Sequence, residues 1–380
     1  MFKKSILLEK FSLFTGVFFL QFIVFFPLDF SNNFQLTITD FIFGDFTQFV
    51  SEYVFGKKNI RIDYSSDSIS MLILVIILLV NSAVFSFIIR KRRVQNFLSI
   101  IEYVCTIYIA VIFIKYGADK IFQAQFPKPE PNILFSRFGN LDQDILFWSI
   151  IGTSKIYNIT IGSIEFFTGI LLLFKRSQFL GLLLAIISFS QIFIINIGFD
   201  ISVKFFSLIL LLMSIFLVRE SGWKLILKII CLPKKTYGDQ LKFLPYQAFL
   251  KILIFGILLI KIGISYFNKE EQKNPLNLSG AYFITSKASP YQYLFFNKDQ
   301  YLIFMEKSSE KMTAFHYDIS VDHQIILEDY QHRVSKHRLV RNRANNTITF
   351  SFRNQIIHAK AIDFKQMNVL QERFHLLTDY

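Results

Sequence analysis

Glu165 stands inside an apolar run, "IEFFTGILLL", ten positions before the Lys175–Arg176 pair. If the run is a helix, ten residues at 1.5 Å each put its carboxyl about 15 Å from that basic end. A carboxyl so deep in hydrocarbon costs several kcal/mol unless it is protonated or paired, and such residues generally mark function. The chemistry it suits is proton exchange; the plainer alternative is a carboxyl hydrogen-bonded to a neighbouring helix as packing glue. A second group closes another apolar run: "KYGADKIF" places Lys115, Asp119 and Lys120 within six positions. An ammonium there can pair a carboxylate or steady an oxyanion.

Further polar groups fall at the ends of adjacent apolar runs. Tyr157 and Asn158 open one, Gln191, Asn196 and Asp200 lie along the next, and Lys204 begins a third. Lys115 and Asp119 are four apart, as are Asn196 and Asp200, which predicts one helical face for each pair. Taken singly, Lys115, Lys120 and Lys204 are explained by snorkelling to headgroups. Taken together, the groups suggest an outward-open pocket with Glu165 at its floor. In that reading Glu165 and Lys120 carry the chemistry, and Lys115, Asp119, Tyr157, Asn158, Gln191, Asn196, Asp200 and Lys204 line the ligand. Gly162 and Gly169 flank Glu165 and permit close helix approach, although their spacing is not a strict GxxxG.

The elements that must position these groups follow from composition. The chain is 53% hydrophobic and 17% aromatic over 380 residues, and apolar stretches approaching 20 residues recur, which soluble chains rarely carry. The expectation is an α-helical polytopic membrane protein with about seven spans: 10–28, 71–89, 97–117, 156–174, 179–198, 202–218 and 246–266. Basic residues cluster in 1–10, 90–93, 175–176 and 219–242, where the net charge is +12, against −2 for the rest of residues 1–268. The positive-inside bias then places the N-terminus in the cytoplasm and the loops 29–70 and 118–155 outside. In the first of these loops, "LTITDFIFGDFTQFVSEYVFG" has apolar residues at helical spacing and suits a helix lying on the membrane surface. In the second, the prolines of "FPKPEP" favour an extended path before a short interfacial helix near Trp148.

After Phe267 the pattern changes to strands. "YQYLFFNKDQYLIFME" predicts a hairpin around residues 297–300, and "NNTITFSF" alternates, with Ile348, Phe350 and Phe352 on one face. A small antiparallel β-sandwich or barrel is expected. The organisation is therefore two N-terminal spans with an outer loop (1–95), a four-helix bundle (96–220), a cytoplasmic connection and seventh span (221–267), and an extracytoplasmic β-rich domain (268–380).

Several chemistries are disfavoured. All six histidines follow the last span, leaving none to ligate haem within the membrane, and none shows a metal-box spacing. Cys105 and Cys231 form no CxxC motif and read as structural thiols. No phosphate-cradling glycine loop is present, and the basic residues follow membrane sidedness better than a nucleic-acid face.

The stretch from about 96 to 220 resembles the DoxX family of four-span bacterial membrane proteins. The likeness rests on "YGADKIF" (116–122), "IEFFTGILLLFKRSQFLGLLLAI" (164–186) and "NIGFDISVKFFSLILLL" (196–212). The wider layout is similar to larger DoxX-like proteins of Bacteroidetes, which add two spans before the core and a seventh leading to a β-rich tail. The resemblance implies membrane redox chemistry, as in thiosulfate:quinone oxidoreductase subunits. It also matches Lys120 and Glu165 to recurrent family positions. Asp200 and Lys204 fall in a family turn that here reads "FDISVK", without the family's Tyr and Pro.

The expected function is thus a redox accessory of a bacterial inner membrane that binds a quinone or similar amphiphile, Glu165 exchanging protons while Lys120 steadies an oxyanion. The competing expectation is a non-enzymatic envelope scaffold that anchors the periplasmic β domain for a protein partner. Membrane lipid is a partner in either case.

Overall fold

A computed structural model describes residues 6–26, 34–230, 253, 255–257, 259–264, 278–320, 324–352 and 355–371. By compactness the chain divides into two units, one of residues 1–121 with 160–262 and one of 122–159 with 263–380. The expected connection at 219–242 begins as a continuation of the helix Lys204–Ile230, so that helix does not end at residue 218; residues 231–242, about half of the expected span at 246–266 and most of the linker after Phe267 lie outside the described residues. So do Cys231, His323 and His375.

In the helical unit, α1 (Ile6–Phe25), α2 (Phe34–Phe55), α3 (Ile69–Ile88) and α4 (Val94–Ile121) precede the excursion into the other unit. There follow α7 (Lys155–Leu173, in this unit from Thr160), α8 (Gln178–Gly198) and α9 (Lys204–Ile230). Five of these, α1, α3, α4, α7 and α8, are long and apolar enough to cross a membrane. The core is built from Leu13, Val17, Phe19 and Phe22 of α1, Leu74 and Leu78 of α3, and Ile101, Cys105 and Phe113 of α4, all nearly inaccessible. The rings of Phe22, Phe26 and Phe206 stack in series, the last two centroids 4.6 Å apart. Lys10 Nζ donates to the carbonyls of Ser86 and Ile89 at 2.6 and 2.7 Å, so a cation completes the unsatisfied C-terminus of α3.

The helix expected in the first outer loop forms as α2, and its polarity is inverted relative to a soluble helix. Thr39, Gly44, Thr47 and Ser51 are buried, while Phe41 is 90% and Tyr53 73% exposed. The chain returning from α2 covers the small polar face: Tyr64 shares a hydrogen bond with Thr47 (3.0 Å), and Ser51 Oγ donates to the Lys57 carbonyl. At its start α2 caps α1, with Gln35 donating to Ile23 and Val24 carbonyls and Thr39 to Phe25.

The second unit contains the short helices α5 (Pro131–Leu134) and α6 (Gln143–Thr153) and eight strands. These are β1 (Gly280–Ile284), β2 (Tyr291–Phe296), β3 (Tyr301–Glu306), β4 (Met312–Ile319), β5 (Gln324–Glu328), β6 (Val334–Asn342), β7 (Thr347–Phe352) and β8 (Gln355–Ile362). Each pairs antiparallel with the next, and β1 pairs with β8, so the sheet closes into a barrel. The hairpin expected at 297–300 joins β2 to β3, and Ile348, Phe350 and Phe352 point into the barrel core. Strand alternation produces this layering directly, successive side chains taking opposite faces.

As expected, the prolines leave residues 127–130 without helix; Pro131 then opens α5 at a position where its missing N–H costs nothing, and α6 forms around Trp148. The loop packs on the barrel. Phe135 meets the rings of Tyr293 and Phe295 at 4.9 and 5.5 Å, Asn297 donates to Asn132, and Arg137 pairs with Glu310. Outward-facing Phe295, Ile303 and Met305 are buried by this cover. Burial of the Glu130 carboxyl raises its pKa, with Lys298 opposing the shift.

Candidate functional site

α4 and α7 meet backbone to backbone. A Cβ on Gly117 would lie 2.5 Å from the Phe166 nitrogen and 2.7 Å from the Gly162 oxygen; one on Gly162 would lie 2.7 Å from the Gly117 oxygen. Two turns away, a Cβ on Gly169 would lie 2.8 Å from the Ala110 oxygen. Positions fall on α4 as they rise on α7, so the helices run antiparallel along this small-residue seam. Such seams let helices approach until van der Waals contact between backbones becomes the main attraction.

The seam brings Lys120 and Glu165 together. Helical side chains lean towards their own N-terminus, so Lys120 reaches back along α4 to the level of Glu165. Its Nζ lies 2.5 Å from Oε2, with the two side chains 7% and 5% exposed. Lys120 therefore does not snorkel. It is a buried cation, and α4 runs on to Ile121 without ending at residue 117 as the hydropathy pattern predicts.

Two further pairs form among the other candidate residues, Lys115 with Asp119 and Lys204 with Asp200. Lys115 bonds Asp119 at 2.9 Å, as their spacing predicts, and stands over the Tyr116 ring. Asn196 is buried and donates to Ser207 Oγ. Asp200 does not share a helical face with Asn196. Helix α8 ends at Gly198, and Asp200 has a left-handed backbone (φ 50°) that turns its carboxylate to Lys204 at 2.7 Å. Gln191 is exposed. Tyr157 and Asn158 belong to the other unit, Tyr157 exposed and Asn158 buried with its amide donating to Ile151 and Ser154 carbonyls.

Two participants were not singled out from the sequence. Asp67 accepts from the backbone N–H groups of Lys204 and Phe205, at 2.7 and 2.9 Å, and caps α9. Glu102 pairs with Arg219 at 2.7 Å, the guanidinium lying 3.7 Å from the Phe216 ring centroid. The Ser-Ser-Asp-Ser run at 65–68 before an apolar segment is a capping signal for α3, which Ser68 indeed caps; nothing local announces that Asp67 serves α9.

Either side chain without the other would be an uncompensated buried group, a costly state. Among the described residues, no three His, Cys, Asp or Glu side chains group as a metal centre.

These features define a class, an apolar multi-helix unit with a buried lysine–glutamate pair, joined in one chain to a closed eight-stranded barrel. The chain is 30% identical over 112 residues to YwoB, an uncharacterized protein of Bacillus subtilis (strain 168). The match covers 30% of this chain and 71% of YwoB, and the chain belongs to the same family as that protein. No family model matches the chain, and no solved structure matches it.

Proposed function

We propose that the chain is a DoxX-like multi-pass protein of a bacterial inner membrane, in which Lys120 and Glu165 handle a proton for quinone-linked redox chemistry. The observation that carries this reading is the buried 2.5 Å pair between two apolar helices, since an ion pair placed there is a poor device for stability alone. A quinol that passes two electrons to a redox partner protein sheds two protons. Glu165 takes one and Lys120 relaxes away, and the second proton leaves to water on the outer side. The five apolar helices and the outward aromatic face of α2 support residence in a bilayer. In this arrangement α2 lies along the outer interface, with the N-terminus cytoplasmic and the barrel periplasmic.

The test is binding of a short-chain ubiquinone analogue to the purified chain in lipid nanodiscs, with Glu165→Gln and Lys120→Met alongside. Saturable binding that both variants alter supports the reading. Absence of binding by the unaltered chain ends it. The engagement of Lys115 with Asp119 and of Lys204 with Asp200 and Asp67 favours a second reading, a scaffold that presents the barrel to an envelope protein.

A further inference from the structure

The link between α3 and α4 concentrates charge of one sign. Arg90, Lys91, Arg92 and Arg93 stand consecutively, and no Asp or Glu occurs anywhere from Ser68 to Ile101. Residues 91–93 form a 3-10 turn, held by the Arg93 N–H donating to the Arg90 carbonyl at 2.9 Å. At a rise of about 2.0 Å per residue, the four backbone positions fall within about 6 Å along the turn. Arg90, Arg92 and Arg93 are exposed, and none of the three has an ion pair among the described residues. The first carboxylate after them, Glu102, is taken by Arg219 at 2.7 Å.

The fold gives these cations no internal use. Helix α4 begins at Val94, so Arg92 and Arg93 abut a helix N-terminus, an end that favours anions and opposes cations. The carbonyls of Ser86 and Ile89 at the end of α3, which would suit a cation, are already met by Lys10. Beside the turn, Val80, Val84, Phe87 and Ile88 of α3 lie three or four residues apart on one helical face. They are exposed, Phe87 by 82% and Ile88 by 72%, and the stripe runs up to Arg90. A ligand that satisfies both surfaces carries an acyl chain on a phosphate whose charge is not cancelled by a cation of its own. Guanidinium groups offer paired N–H donors that match phosphate oxygens, and Lys/Arg clusters immediately beside a spanning helix attract anionic headgroups.

We propose that the α3–α4 link binds an anionic phospholipid, its phosphate held by Arg90, Arg92 and Arg93 and an acyl chain lying along Val84, Phe87 and Ile88. This rests on the bilayer residence proposed above and is independent of redox chemistry at Lys120 and Glu165.

Native mass spectrometry of the full chain, released from micelles holding equimolar phosphatidylglycerol and phosphatidylcholine of distinguishable mass, tests it. The expected result is about fivefold more bound phosphatidylglycerol than phosphatidylcholine. Arg90→Gln/Arg92→Gln/Arg93→Gln should bring that ratio near one with the unfolding midpoint unchanged, because all three side chains are exposed. Lys57→Gln/Lys58→Gln/Arg61→Gln, which removes as many exposed cations elsewhere, should leave the ratio intact. Equal binding of the two lipids, a ratio unmoved by the Arg90 set, or one lowered as far by the Lys57 set would overturn the proposal and leave bilayer residence standing. Binding of neither lipid would overturn both.

Discussion

The carboxylate of Asp67 closes the first turn of α9 from 137 positions earlier in the chain, accepting from Lys204 N–H at 2.7 Å and from Phe205 N–H at 2.9 Å. Those donors have no partner within the helix. Asp67→Ala should therefore cost about 0.5–2 kcal/mol, the usual loss for an N-cap. Hydrogen exchange should accelerate first at the amides of residues 204–206, before any change in the barrel.

Lys120 and Glu165 offer a cycle with a distinctive signature. Removing one partner, as in Glu165→Gln or Lys120→Met, leaves an uncompensated buried group and should cost about 3–5 kcal/mol. The double variant Lys120→Met/Glu165→Leu should recover most of that loss, because a packed apolar pair avoids the desolvation cost. Thermal unfolding of the four proteins in one detergent measures the coupling. Near-additive losses would remove the interaction from the account.

The seam between α4 and α7 predicts an intolerance of size. At Gly117 even a methyl group would press on the Phe166 backbone. Gly117→Ala should cost about 1–3 kcal/mol through overpacking, despite the better helix propensity of alanine. A crosslinking distance between cysteines placed on the two helices should lengthen at the same time.

His337 gives a pH dependence with a definite sign. Burial, only partly opposed by a backbone hydrogen bond with Ser351, holds its folded-state pKa below the ordinary 6.5. The unfolded chain then binds the extra proton first, so this residue's contribution is fully present above about pH 6.5 and is lost as pH falls below it. The unfolding midpoint of the barrel should drop between pH 7 and pH 5. His337→Gln should flatten that part of the profile.

The architecture was legible where one local pattern decides it. Uniform apolar runs located α1, α3, α4, α7 and α8 to within a few residues, and strict alternation placed Ile348, Phe350 and Phe352 inside the barrel. Glu165 announced itself by being charged among Ile, Phe and Leu. Its partner was harder to see, because Lys120 reads as an ordinary snorkelling end residue until the Gly117–Gly162 contact fixes the register of α4 against α7. The roles of Asp67 and the α5–β2 contact at Phe135 were not legible, since each joins segments far apart in the chain without a periodic signal in either. The helical face assigned to Asn196 and Asp200 failed for a local reason, a left-handed residue after Gly198 that hydropathy does not register.

Closure between β1 and β8 has a consequence for recruitment. An open sheet offers a border of unpaired amides and carbonyls on which a visiting segment can lie as an added strand. Here every described strand already has two neighbours, and one-sided pairing is confined to short stretches such as Val334–Arg338 of β6, which pairs with β5 alone. A protein that docks on this domain therefore meets turns and outward side chains over most of its surface, which favours recognition by surface chemistry over indiscriminate sheet-to-sheet association.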